Sequence, residues 1–345
     1  MKVGKSSLSF KNVFLNDAAV VVGPKENDGP LKEYYDYYFE DLHCGESSWE
    51  KAEIKMYKTA LNLVLNKTNL QEDDIDIIIS GDLNNQIVIG SYALRNNDIP
   101  YLGIFSACAS SVEGLILASK FLENDNKYKN IIVSTSSHNA CAEKQFRYPN
   151  EYGGKKPESI TSTVTAATSI ILSNKKNEKV NIQFTKATIG KIIDYEMKDP
   201  QDLGRCMAPA CYNTLKEHLE DFNIDLSYYD FIVSGDLSNL GKELLVNIAI
   251  ENGINLTTNY DDCGVMIYDI KKQEVHSGGS GCGCLPAVSF SYIINQMKIG
   301  VYNKVLLLAT GALHNPSIIN QKESIPSICH AIAMEVIKWF FYFVF

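Results

Sequence analysis

No apolar run in this chain reaches the ~20 residues that a helix needs to cross a bilayer, so no membrane-spanning segment is expected. The first residues carry Lys2 and Lys5 but lack the apolar stretch of a signal peptide. Cations are too sparse for a nucleic-acid partner. Lys and Arg total 32 against 41 Asp and Glu, a formal charge of −9 at pH 7, and no basic field covers the chain. Paired metal-binding cysteines are missing as well. The nine cysteines form no CxxC ladder, and the nearest pair, Cys282-Gly-Cys284, does not have zinc-finger spacing. Ordinary thiols in a reduced, intracellular compartment are expected, with no bound metal. What remains is ample for a core: 45% of the 345 residues are hydrophobic, enough for one large domain or two ordinary ones.

The chain is organised around Phe105-Ser-Ala-Cys108-Ala-Ser110-Ser111-Val-Glu-Gly-Leu115. An apolar run from Ile99 to Phe105 precedes it. Val112, Leu115, Ile116, Ala118, Ser119 and Leu122 follow at helical spacing. Cys108 is therefore expected where a buried strand turns into a helix. Ser110 or Ser111 can cap that helix, and its N–H groups and positive end would face whatever binds beside the sulfur. Such a setting lowers a thiol pKa and attracts anions. The plainer alternative is a buried Cys on a turn of small residues.

Strand patterns are read at 18–23, 75–80, 129–138, 163–172, 181–191, 229–234 and 304–315, and helices at about 49–65, 86–96 and 211–222. Residues 139–157 read as a long loop, which in a compact protein is functional or disordered. His43, His218 and His276 read as surface residues. Two stretches match: Ile-Ser-Gly-Asp-Leu-Asn-Asn at 79–85 and Val-Ser-Gly-Asp-Leu-Ser-Asn at 233–239. Ser277-Gly-Gly-Ser-Gly-Cys282 opens a helix as Cys108 does, and the strand ending in His314-Asn315 parallels the one ending in His138-Asn139. Three landmarks in one order indicate an internal duplication. The expected fold is α/β, two strand–helix halves (1–190 and 191–345) with helices between and around two mixed sheets.

A duplicated strand–helix chain with Ala-Cys-Ala before a helix resembles the thiolase fold. Within that superfamily it is most similar to the stage V sporulation protein AD family. The residues carrying the resemblance include Val22-Gly-Pro-Lys-Glu26, Ser48-Trp-Glu-Lys-Ala-Glu53, Phe105-Ser-Ala-Cys-Ala109, Ser136-Ser-His-Asn-Ala140, Met207-Ala-Pro-Ala210 and Glu323-Ser-Ile-Pro326. The most specific is Gln145-Phe-Arg147-Tyr-Pro-Asn-Glu-Tyr-Gly153, a loop that condensing enzymes do not have. The resemblance implies a thiolase-like fold and a non-catalytic protein that binds dipicolinate, free or with calcium. It implies work beside membrane SpoVA partners at the inner membrane of the developing spore. Thiolase folds commonly dimerise, so a homodimer is compatible with the resemblance.

A condensing enzyme needs a nucleophilic Cys and two side-chain donors that stabilise an enolate oxygen. Cys108 stands at the nucleophile position. The matching second-half positions hold Asp236 and Gly279 or Ser280. An ionised Asp repels an oxyanion, and neither Gly nor Ser offers an amide. Condensation is thus disfavoured, while a Cys-dependent acyltransferase using His138, His314 or His330 as base remains the alternative. For a flat dicarboxylate the candidate contacts are Cys108, Ser110, Ser111, His138, Arg147, Asp236, Gly279, Ser280, His314 and His330. Arg147 is the bidentate candidate. Asp82 and Asp236 are candidate calcium ligands, against the simpler reading that each closes its own turn. The aromatic end, Ile337 to Phe345, is too short to span a membrane. It fits an interface, a docking contact with a membrane partner, or an altered reading frame.

Overall fold

Ten strands in two sets of five carry the chain. The computed structural model describes residues 1–124, 127–146 and 156–337. The first set is β1 (Phe14–Val22), β2 (Ile77–Asp82), β3 (Tyr101–Gly103), β4 (Asn130–Ser137) and β5 (Ala166–Ser173). The second is β6 (Ile182–Thr188), β7 (Phe231–Ser234), β8 (Tyr260–Asp262), β9 (Lys304–Ala312) and β10 (Ser327–Val336). In the first half β3, β2 and β4 run parallel, and β5 and then β1 add antiparallel. In the second, β8, β7 and β9 run parallel, and β10 and then β6 add antiparallel. The two mixed sheets therefore share one topology. A single pairing, Gln183 with Phe14, joins them edge to edge.

Local sequence explains the covering helices. Helix α1 (Trp49–Thr68) starts where Ser48 Oγ accepts the Lys51 N–H and ends where Asn69 adopts the left-handed conformation. Its buried stripe includes Ala52, Met56, Ala60, Leu61 and Val64. Helix α2 (Ser110–Asn124) follows Cys108 and lies between the halves, packing on β2 and β4 and on β9 and β10. One core cluster accordingly joins Val112, Leu115 and Ile116 of α2 to Ile79 and Val133 of the first sheet and Leu307 and Ile332 of the second. Burial of such side chains stabilises by roughly 1.5–3 kcal/mol each, so the turn that opens α2 is held by both halves.

Three expectations are corrected. Residues 139–146, read as loop, form helix α3 (Asn139–Phe146); residues 147–155 lie outside the described residues. Helix α4 runs from Leu203 to Phe222 and passes through Pro209, whereas the sequence pattern starts it only at Cys211. Pro209 removes one N–H, but its ring sits on the buried face with Met207, Ala210 and Cys211, and packing outweighs the lost bond. His218, read as exposed, is fully buried. Its Nδ1 pairs with Thr188 Oγ1 at 2.8 Å and its Nε2 with the Tyr229 hydroxyl at 2.6 Å. Burial lowers its pKa to about 3. Among the described residues no helix is long and apolar enough to cross a membrane.

Gly311, on β9, faces the Cys108 turn. A Cβ there would sit 2.4 Å from Ser106 O and 3.2 Å from Ala109 N. Gly311→Ala must push the turn away from the second half. Urea unfolding is expected to show a loss of about 1–3 kcal/mol; an unchanged midpoint would mean that the turn is not clamped there.

Candidate ligand-binding cleft at Cys108

The turn before α2 closes on itself. Ala107 takes the left-handed conformation, φ 49°, which an L-residue adopts at a cost. Ser110 Oγ accepts the Ser106 N–H at 2.9 Å and donates to Ala107 O at 2.7 Å. From the second half, the Cys282 thiol donates to the same carbonyl at 2.9 Å. These bonds aim Cys108 outward. It is half-buried, whereas the other eight cysteines are buried.

Cys108 opens into a cleft of about 660 Å3, its mouth included. Phe105, Phe146, Leu203 and Met207 give it apolar walls; Thr163, Asp236, Ser280, Gly281 and His314 supply polar atoms. Gly281 has φ +113°, and a Cβ there would meet Ser137 Oγ at 2.9 Å. His314 is half-buried and meets Phe146 edge to face at 5.5 Å. The lining holds no Lys or Arg among the described residues.

Asp236 decides the electrostatics. Its carboxylate accepts the Thr310 hydroxyl at 2.5 Å and the Gly281 N–H at 3.2 Å, and it shares the cleft lining with Cys108. Burial pushes its pKa up to about 6, against these hydrogen bonds. The same carboxylate acts on the sulfur. Burial first, and then the Asp236 charge, hold the Cys108 thiol well above its ordinary range. The helix-start setting was expected to lower that pKa. Desolvation and the carboxylate outweigh the helix end, so the sulfur rests as a thiol.

The other expected site residues divide by place. Ser280 lines the cleft and pairs with Thr161 Oγ1 at 2.7 Å. Gly279 lies beside it in a short strand paired with Ser162–Thr163, behind the lining. Ser110 is spent within the turn, and Ser111 is buried off the cleft, with no hydroxyl partner among the described residues. His138 turns away: it donates from Nε2 to Leu42 O at 2.7 Å, and burial lowers its pKa. His330 is buried beneath the turn. Its Nδ1 accepts the Gly190 N–H at 3.1 Å and its Nε2 faces Ser106 Oγ at 3.4 Å. Burial lowers its pKa to about 4. Arg147 lies outside the described residues. Asp82 is buried in its own turn, accepting the N–H groups of Asn84, Ile89 and Gly90. No cluster of three or more metal-ligating side chains occurs among the described residues.

Sequence reasoning missed the apolar walls. Met207 belongs to a motif already singled out, but Pro200 and Leu203 carry no signal. It also missed Glu53, which accepts Asn84 Nδ2 at 2.9 Å and Ser136 Oγ at 2.8 Å. Burial and the Asp82 charge raise its pKa to about 8. An acidic residue on the apolar stripe of α1 was the available signal.

The model of the family described as stage V sporulation protein AD matches residues 4–335. The chain belongs to this family. It is 44% identical over 333 residues to stage V sporulation protein AD of Bacillus subtilis, covering 96% of this chain and 97% of that one. Among solved structures, a variant of Xanthomonas campestris OleA matches with TM-score 0.62 at 12% identity, over 95% of this chain and 98% of that one. The 3-oxoacyl-[acyl-carrier-protein] synthase III of Aquifex aeolicus matches with TM-score 0.53 at 14% identity, over 96% and 100%. These are thiolase-fold proteins, so the fold is thiolase-like and the protein is a sporulation protein.

The raised thiol pKa sets a test. Alkylation of Cys108 by iodoacetamide, followed by peptide mass spectrometry, is expected to be slow at pH 8 compared with an exposed thiol (ordinary pKa about 8.5). Asp236→Asn removes the repelling charge and is expected to speed it by about tenfold. Fast labelling of the unaltered protein would contradict the raised pKa.

Proposed function

We propose that this protein is a non-catalytic thiolase homologue whose Cys108 cleft binds dipicolinate, free or with calcium, during its uptake into the developing spore. Membrane SpoVA proteins at the inner spore membrane are its proposed partners. The observation that carries the non-catalytic reading is that Asp236 lines the cleft with Cys108. Where condensation needs a thiolate and donors for an enolate oxygen, the cleft sets a carboxylate on the same lining as a thiol whose pKa burial and that charge raise.

The cleft chemistry is consistent with a flat, dianionic aromatic ligand. Phe105, Phe146 and Met207 offer apolar faces for the ring. Thr163, Ser280, the Gly281 backbone and His314 offer polar contacts, and Arg147 is the proposed charged partner. Asp236 opposes a bare dianion once it is ionised. With its pKa at about 6, the repulsion is absent below that pH and grows as pH rises through it. A calcium ion carried with the ligand would turn Asp236 from opponent into oxygen ligand.

A second reading, a Cys-dependent acyltransferase, draws on one observation: His314 lines the same cleft as Cys108. A thioester hydrolysis assay separates the two.

Titration calorimetry of dipicolinate, with and without calcium, tests the first reading on the unaltered protein and Cys108→Ala. Saturable binding is expected, weaker in the variant. Without calcium it should be tighter at pH 5.5 than at pH 7.5, and Asp236→Asn should level that difference. Absence of binding in every condition would sink the proposal, and thioesterase activity lost with Cys108 would put the enzyme in its place.

A further inference from the structure

The segment from Asn27 to Cys44 builds a second concavity, on the face formed by the first half. It is anchored from behind. Tyr34 meets Tyr292 edge to face at 5.1 Å, and Phe39 packs into the α1 core. Residues Tyr37–Tyr38 form a short strand paired in parallel with Val21 and Val22. Among the described residues no strand pairs with their other edge. Both tyrosines remain 46% exposed.

Acidic side chains surround this edge. Glu33, Glu40 and Asp41 are exposed and line the groove with Tyr37 and Tyr38. The cations nearby are already engaged. Lys67 pairs with Asp36 at 2.8 Å and donates to Ala18 O. Lys55 donates to Cys44 O at 2.7 Å and lies over the Phe39 ring at 5.7 Å. Lys32, on the rim, pairs with Glu33 at 3.9 Å, with both side chains well exposed.

We infer that this groove docks an extended, Lys- or Arg-rich segment of a partner protein. Three features on one surface fit that occupant: a strand edge with no strand partner among the described residues for its backbone, exposed tyrosine faces for its cations, and exposed carboxylates for its charge. The same carboxylates repel an anionic membrane surface and a nucleic acid.

Fluorescence anisotropy on the full chain tests this, using a labelled peptide of alternating arginine and valine about ten residues long. Saturable binding is expected. Glu33→Lys with Glu40→Lys should weaken it by about tenfold or more, and Tyr37→Ser with Tyr38→Ser by about threefold to tenfold. A matched reversal on the other half, Glu220→Lys with Glu251→Lys, should change it by less than about twofold. Circular dichroism checks that each variant folds. Failure of the peptide to bind, or equal loss in the matched reversal, would overturn the inference. So would binding to phosphatidylglycerol vesicles that disappears with the two tyrosines, since the occupant would then be a membrane.

Discussion

The close seat of one turn against the opposite half governs this molecule. Ser106 to Ser110 has no slack: Gly81 and Gly311 approach it from the two sheets where no side chain fits, and Cys282 bonds its carbonyl. A thiol at the tip of such a turn cannot choose its surroundings. Its position is fixed by packing, and its chemistry then depends on which second-half groups arrive beside it. The cleft wall is held with similar economy. His138 ties the start of α3 to Leu42, and α3 supplies Ala142 and Phe146 to the lining.

Several buried carboxyl groups, Glu53 on α1 and three Asp at strand ends, surround this core. Burial raises Glu53 to about 8, Asp82 to about 6, Asp236 to about 6 and Asp262 to about 7. A carboxyl whose folded pKa exceeds its unfolded value favours the fold fully below the unfolded pKa, and that contribution is lost as pH rises through the folded one. These groups therefore oppose stability increasingly from about pH 4 to pH 8. The hydrogen bonds around them limit the cost. Asp262 alone accepts the N–H groups of Leu237, Ser238 and Gly264. Polar groups that cost stability yet remain so well organised specify geometry.

The duplication, the Cys108 turn and the alternation of strand and helix were legible because each rests on local pattern. The repeated Ser-Gly-Asp stretches, the small residues around Cys108 and the apolar runs all sit within a few residues of what they encode. Side-chain direction was not legible. His138 and His314 end equivalent strands, yet one turns to Leu42 and the other to the cleft. Nothing within their own strands distinguishes them; the difference lies in neighbours brought from elsewhere. His218 misled for the same reason, since its partners Thr188 and Tyr229 come from other elements. The apolar walls were illegible too, because Leu203 lies upstream of the helix read at 211–222 and carries no signal of its own until the fold brings it to the cleft.

The two Asp residues at equivalent strand ends show how a duplicated fold acquires an asymmetric site. In the first half Asp82 closes its own turn, and both its oxygens are filled by backbone N–H groups. In the second half that task passes to Asp262 on the neighbouring strand, which accepts from Leu237 and Ser238. Asp236 is thereby released from turn duty. Thr310 and Gly281 hold it instead, with its carboxylate toward Cys108. One residue type in one local motif thus serves as scaffold on one side and cleft chemistry on the other. The decision is made by an acidic residue that the motif does not contain. Without the Asp262 carboxylate the Leu237, Ser238 and Gly264 N–H groups lose their acceptor, so the turn that carries Asp236 depends on a carboxylate that does not line the cleft.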